Sequence, residues 1–296
     1  MNTNTSSVQP LEFKPIELSQ MKQVEKIRIS SGNTLYVHCF VSLFAWQEYE
    51  QYEIHLEDDA YVVKDGAFGE NAYLFPCGSD EGRKRVIDCL IGSKNLVFSS
   101  LTDDDKSFLE SEYPDRFVFE ECRDEFPYLY DKENQILLNG KEYKRLRHRI
   151  NIGRSVANQW SVIPLTDENI DRALNINRKW NEMRKTGDLA DTEASEKALS
   201  NFSDLSMWGL IFQADGEDTA YAAGCFITPE IFDICFCKVL DKRCDCYIKW
   251  ALYKTLPEQT NTVDSEDDLG LEGLRRHKLL RQPKELVRVW KGSLIK

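Results

Sequence analysis

The chain has 296 residues, 42% of them hydrophobic and 30% charged, which is enough for two domains with cores of their own. Its 50 acidic residues against 38 basic ones leave a formal net charge of −12, which excludes general nucleic-acid binding, including general DNA binding, because neutralising phosphates requires a basic face. Nine cysteines, an odd number, behind a polar start (Met1-Asn-Thr-Asn-Thr-Ser-Ser7) with no apolar leader, point to reduced thiols and a cytoplasmic location.

In chain order, residues 1–15 are expected to form a loose tail. Residues 16–29 alternate apolar and charged side chains at helical spacing, and residues 40–49 read as a second helix. The longest apolar run, residues 39–46, is far short of the roughly 20 residues that cross a bilayer, so no transmembrane segment is expected. Strand-like pieces follow at 52–56, 60–63 and 72–75, separated by Asp/Gly turns that imply a meander. Then come a helix over 81–91, a strand over 95–99, a helix over 103–113 behind a Thr102 cap, and a strand over 116–121. Two tyrosines, Tyr128 and Tyr130, could line a cleft or belong to a core.

Residues 141–154 contain six Lys or Arg and one acid, in an otherwise acidic chain. On a helical wheel Tyr143, Leu146 and Ile150 share one stripe and the bases fan around the rest. Two readings stand side by side: a solvated helix pairing with nearby carboxylates, or a cationic wall in which Tyr143, Lys144, Arg147 and Asn151 meet a phosphate-bearing substrate.

From Gln159 a second cycle begins. A strand over 160–165, a helix to about Arg184, a helix over 194–202 and strands over 207–214, 219–228 and 231–239 are followed by a helix over 246–256. A short strand over 261–264, a helix over 273–280 and a closing strand over 286–290 complete it. Cys235-x-Cys237 and Cys244-x-Cys246 place four thiols close together, but the one-residue gaps suit zinc poorly, and small buried hydrophobes are the preferred reading, with no metal site expected.

The richest stretch is Thr262-Val-Asp-Ser-Glu-Asp-Asp-Leu-Gly-Leu-Glu-Gly-Leu-Arg-Arg-His-Lys278. Acids, two glycines three apart and strong bases share one strand-to-helix turn, where backbone N–H groups can face an anion. Structurally, the acids complement a helix N-terminus and the bases its other end. Functionally, Glu266 or Asp268 would take a proton from, or hold, an attacking amine or hydroxyl, while Gly270, Gly273, Arg275 and Lys278 would hold phosphate or an oxyanion. Serine-hydrolase, P-loop and zinc-protease motifs are absent.

This motif, with Asp-Leu-Gly-x-x-Gly-Leu-Arg after an acidic pair, then Lys278 and Pro283, resembles proteins similar to the C-terminal domain of phosphatidylglycerol lysyltransferase. A second block agrees: Tyr128-Leu-Tyr130, Leu138-Asn-Gly-Lys-Glu-Tyr143 and the basic run to Asn151, with Phe44-x-Trp46-Gln47 ahead of them. The resemblance spans roughly residues 30–290. It implies an α/β fold with mixed sheets and two tandem GNAT-like domains, at 16–140 and 159–296, joined by a basic connecting helix over 141–158. It also implies transfer of an acyl or aminoacyl group, with acyl-CoA or aminoacyl-tRNA as donor and a small molecule or lipid headgroup as acceptor, any tRNA meeting the basic patch. A non-catalytic protein that holds an anionic ligand on the same scaffold is the alternative. Departures from the family pattern are His148 for Asn, Asp264 for Asn, Leu280 and Arg281 before Pro283, and a glycine-free Asp241-Lys-Arg-Cys-Asp-Cys-Tyr247 where acetyltransferases cradle a pyrophosphate.

Overall fold

The computed structural model describes residues 10–184 and 189–295, so the first nine residues of the expected tail lie outside the described residues. Lys14, within that expected tail, exchanges backbone hydrogen bonds with Ile54 at 3.0 and 2.7 Å. The described residues form two compact units: 10–34, 46–122 and 289–295 make the first, and 35–45, 123–184 and 189–288 the second.

In the first unit, α1 (Met21–Ser30) precedes α2 (Phe40–Glu50), whose first six residues group with the second unit. Strands β1 (Tyr52–Leu56), β2 (Ala60–Asp65), β3 (Ala72–Leu74) and β4 (Cys77–Gly78) follow, then α3 (Asp80–Leu90), β5 (Val97–Leu101), α4 (Asp103–Glu112) and β6 (Phe117–Glu121). The α4 start has the chemistry its sequence announces. Thr102 Oγ1 accepts from Asp105 N at 3.1 Å and Asp105 Oδ2 accepts from Thr102 N at 3.0 Å, a reciprocal capping box. Alternating apolar residues of the strands (Val62, Phe98) bury against Val86, Ile87 and Leu109 of the helices.

The second unit holds β7 (Tyr128–Asp131), α5 (Lys132–Leu137), α6 (Lys144–Arg154), β8 (Trp160–Pro164), α7 (Ile170–Met183) and α8 (Ala190–Ser200). It continues with β9 (Trp208–Ala214), β10 (Glu217–Thr228), β11 (Ile231–Val239), α9 (Asp245–Thr255), β12 (Thr262–Asp264), α10 (Glu272–Leu280) and β13 (Glu285–Leu286). The last strand, β14 (Trp290–Leu294), belongs to the first sheet, pairing antiparallel with β5 and β6. The sequence reading placed a closing strand at 286–290 in the second cycle. Of those residues Leu286 ends β13, which pairs with β7, Trp290 opens β14, and 287–289 belong to no strand, because each strand finds its ladder partner far away in the chain.

The first sheet runs β1-β2-β3-β5-β14-β6, with β4 on β2, and the second β13-β7-β12-β11-β10-β9-β8. Both are mixed. In the second sheet β10 and β11 pair along their lengths, whereas β11 meets the parallel β12 only from Ile231 to Asp233. The rest of β11 has no neighbour from β12, and the gap so left lies toward α9 and α10. Phe212, Ala222, Phe232 and Val263 of the sheet pack against Ile248 and Leu252 of α9. Among the described residues no helix is long and apolar enough to cross a membrane.

Candidate functional site

The basic segment folds as α6, and its apolar stripe is buried as the wheel requires: Tyr143, Leu146 and Ile150 cluster with Leu138 and Cys246. Gly153 lets α6 lie close to the turn before α9. A Cβ there would sit 2.7 Å from Tyr247 Cβ and 2.9 Å from Arg243 O, too near for any side chain without movement. This approach closes one wall of a cavity of about 540 Å³, lined by Arg149 and Ile152 of α6, Cys237 and Val239 of β11, Lys242 and Arg243 of the turn, and Asp245 and Lys249 of α9. Trp180, Cys246, Leu274 and His277 complete the lining. Four permanent cations and one carboxylate face it. The carboxylate is already answered: Asp245 lies 2.9 Å from His277 Nε2, 3.4 Å from Lys249 Nζ and 3.9 Å from Arg281 Nη2. Burial raises its carboxyl, but Lys249, His277 and Arg281 outweigh that and hold it well below the usual carboxylate range.

The glycine-free turn therefore forms a wall of the cavity. Its Asp241 is turned inward on the turn itself, accepting from Arg243 N at 2.9 Å and from Arg243 Nη2 at 2.6 Å. The thiols in the cavity are not poised nucleophiles, since burial pushes Cys237 up to about 11 and raises Cys246 as well.

The acidic turn at 264–272 is built differently from a phosphate cradle. Its amides are taken by its own side chains: Glu266 N donates to Asp264 Oδ1 at 2.7 Å, Leu269 N to Asp267 Oδ1 at 3.1 Å and Gly270 N to Asp268 Oδ1 at 3.0 Å. Gly270 is in the left-handed region (φ 68°), and a Cβ there would meet Asp124 Oδ2 at 2.7 Å, so glycine is required. Gly273 has open space around its Cα and meets no such requirement.

Asp268, fully buried, accepts from Arg275 Nε at 2.9 Å, Arg275 Nη2 at 2.8 Å, Tyr128 Oη at 2.5 Å and Arg123 Nη1 at 3.2 Å. Burial works to raise its carboxyl; Arg275, Tyr128 and the Gly270 amide bring it below the ordinary range. A carboxylate so saturated braces the turn and is ill suited to take a proton. Arg275 is bound in turn to Asp124 at 2.6 Å. Lys278 is buried, its ammonium donating to the carbonyls of Ser265 and Asp267, and burial lowers its affinity for the proton. Glu266 differs from all of these. It is half-buried, and among the described residues its carboxyl has no hydrogen-bond partner. Burial first, then the neighbouring Asp233, holds that carboxyl well above its ordinary range against the pull of Lys278.

Of the other residues singled out from sequence, Lys144 and Asn151 are exposed on α6 and do not line the cavity. Arg147 donates to the Leu138 carbonyl and, at 2.7 Å, to that of Gly140, which ties down the loop before α6. Tyr128 and Tyr130 are fully buried on β7, the first bonded to Asp268 and the second donating to Lys278 O at 3.0 Å, so neither lines an open cleft. The cavity bases Arg149, Lys242, Arg243 and Lys249, with His277, are not singled out by any motif. The adjacent Lys242-Arg243, just after a long strand in an acidic chain, is the signal in the sequence that points to them.

The family described as Phosphatidylglycerol lysyltransferase, C-terminal, matches residues 33–230. A conserved protein of unknown function from Bacteroides thetaiotaomicron VPI-5482 is 26% identical, with a TM-score of 0.87 over 96% of this chain and all of that one. The C-terminal domain of a putative lysylphosphatidylglycerol synthetase from Agrobacterium fabrum is 12% identical, with a TM-score of 0.65 over 93% of this chain and 91% of that one. L-PGS from Bacillus licheniformis has the same identity of 12% and TM-score of 0.65, over 96% of this chain and 93% of that one. No curated protein matches the chain in sequence. The two mixed sheets with their helices are the tandem GNAT-like arrangement that the sequence motifs imply.

Proposed function

The chain belongs to the phosphatidylglycerol lysyltransferase C-terminal family, and from that premise we propose that it transfers an acyl or aminoacyl group from a phosphate-bearing donor to an amine or hydroxyl acceptor. The observation that carries this reading is the cationic cavity beside the open stretch of β11. Its volume, about 540 Å³, falls within the roughly 300–1,000 Å³ of small-molecule sites. In a protein of net charge −12, convergence of Arg149, Lys242, Arg243 and Lys249 selects for an anion, and the phosphates of acyl-CoA or of an aminoacyl-tRNA end supply one. Because the lining thiols hold their protons, transfer runs directly from donor to acceptor within one complex rather than through a cysteine intermediate. Glu266, the acid of the turn without a partner, is the group left to meet the acceptor amine or hydroxyl, a small molecule or lipid headgroup. Asp268, Arg275 and Lys278 hold the turn that presents it, and Gly270 gives that turn its shape.

One observation favours the second reading, a binding protein without turnover: Asp268 and Arg275 of the turn neutralise each other, and the Lys278 ammonium is taken up by the carbonyls of Ser265 and Asp267. Calorimetric titration of acyl-CoAs and aminoacyl-tRNA, with Lys242→Ala and Lys249→Ala as variants, tests the cavity, and mass spectrometry of amine and lipid acceptors tests transfer. Donor binding that the variants abolish, with an acceptor modified by the native chain and not by Glu266→Gln, is the expected result. Binding with no acceptor modified leaves the second reading, and no binding of either donor sinks both.

A further inference from the structure

A second place in this unit carries chemistry that acyl transfer does not use. Cys225 on β10 and Asp233 on β11 are directly opposed in the antiparallel ladder, and next to a bulge in that ladder the thiol of Cys235, two residues along β11, meets the Asp233 carboxyl. Cys225 Sγ and Cys235 Sγ are 3.9 Å apart, Cys235 Sγ is 3.3 Å from Asp233 Oδ2, and one ligand atom from each of the three residues lies within 4.8 Å of the others. A tetrahedral zinc ion with Zn–S of about 2.3 Å and Zn–O of about 2.0 Å has S···S edges of about 3.8 Å and S···O edges of about 3.5 Å. The observed separations match both. Cys39, buried just before α2, hydrogen-bonds to the Cys225 thiol.

Buried thiols alone would be unremarked as small hydrophobes. Asp233 is the second observation: it is fully buried, and its Oδ1 has no hydrogen-bond partner. A buried carboxyl with an unanswered oxygen is costly unless something with positive charge completes it. Positive charge is scarce around it, and what there is must be shared. Asp264, Glu266 and Asp267 lie nearby and the ammonium of Lys278 is the main cation among them. A competing trio, Asp245, Cys246 and His277, has comparable spacing, but Lys249 and Arg281 already answer its carboxylate and would repel a cation.

We propose that Cys225, Asp233 and Cys235 bind a thiophilic divalent cation of the zinc type, with Cys39 beside them. Two thiolates and a carboxylate select such an ion over magnesium or calcium. Binding releases the two thiol protons to solvent and changes no oxidation state. The ion clamps the β10–β11 ladder where Asp233 adjoins β12, and the half-buried Cys235 gives it entry. This goes beyond the transferase reading and stands without it.

The test is titration of the chelator-treated full chain with cobalt. The expected result is a thiolate-to-cobalt charge-transfer band that zinc abolishes, retained in Cys246→Ala and lost in the Cys225→Ser/Cys235→Ser double variant. Zinc at a large excess over its Kd should also raise the melting temperature of the native chain by about 5 °C or more, and that of the double variant not at all. Absence of the band and of the shift in the native chain overturns the proposal whatever the variants do. A band that survives the double variant and disappears in Cys246→Ala overturns it in favour of the other trio.

Discussion

Buried charge is handled in two ways in this chain, one in each unit. In the first unit the partners are nearer in sequence. Arg28 is answered by Glu25 three residues earlier at 2.6 Å, and Asp105 by its own cap and by Arg83, 22 residues earlier, at 2.9 Å. In the second unit the partners are distant in sequence: Arg275 reaches Asp124 across 151 residues, Arg123 reaches Asp268 across 145, and Tyr36 donates to Asp267 across 231. Local pairs secure helix ends. Distant pairs fix the geometry of the acidic turn, and their loss is expected to cost more because it leaves the buried Asp267 or Asp268 short of a partner.

The sharpest way to break this contrast is Asp268→Asn against Asp105→Asn. Removing the Asp268 charge leaves Arg275, Arg123 and Tyr128 facing a neutral amide, and we expect a loss of about 3 kcal/mol in urea unfolding. Asp105→Asn loses one bridge and half of a capping box, about 1 kcal/mol. Equal costs would erase the distinction between the units.

Next in size is Gly153→Ala. The added methyl forces α6 away from Tyr247 and Arg243 and is expected to destabilise by about 2 kcal/mol. Because the same helix carries Arg149 into the cavity, donor binding should weaken with it. Stability lost with binding intact would separate the α6 wall from the ligand.

A smaller effect is expected at His277. The Asp245 carboxylate favours its protonation, but burial together with Lys249 and Arg281 keeps it below its ordinary pKa of 6.5. The unfolded chain therefore takes up a proton that the folded one refuses, so stability falls as pH drops through about 6.5. His277→Gln should flatten that slope, measured as the unfolding midpoint from pH 7.5 to 5. An unchanged slope would place the titration elsewhere.

The same contrast decides what could be read in advance. Thr102 and Asp105 announce the α4 cap within four residues, and the stripe Tyr143, Leu146, Ile150 announces the buried face of α6, because periodicity and capping are local. The fates of β7 and β14 were hidden, since a strand of four or five residues pairs wherever a distant ladder accepts it. In the site, the acids and bases at 264–278 were visible as a motif. That Asp268 and Arg275 would occupy each other, with Asp124 added from far upstream, depends on a fold that spacing does not encode. Lys242 and Arg243 were equally visible, but their role follows from where β11 loses its neighbour.

The smallest effect tests the first unit by its exception. Glu50 is half-buried, and burial, with the nearby Asp65 adding to it, pushes its carboxyl up to about 7. Here the folded chain keeps a proton that the unfolded chain has released, so stability falls as pH rises from about 4.5 to about 7 and stays lower above that. Because solvent still reaches the carboxyl, the penalty is discounted to below about 1 kcal/mol. Glu50→Gln should match the native chain at pH 4 and exceed it in stability at pH 8, while leaving donor binding in the second unit unchanged. Loss of that binding would mean that the local charges of the first unit reach the site after all, and the division drawn between the two kinds of buried charge would not hold.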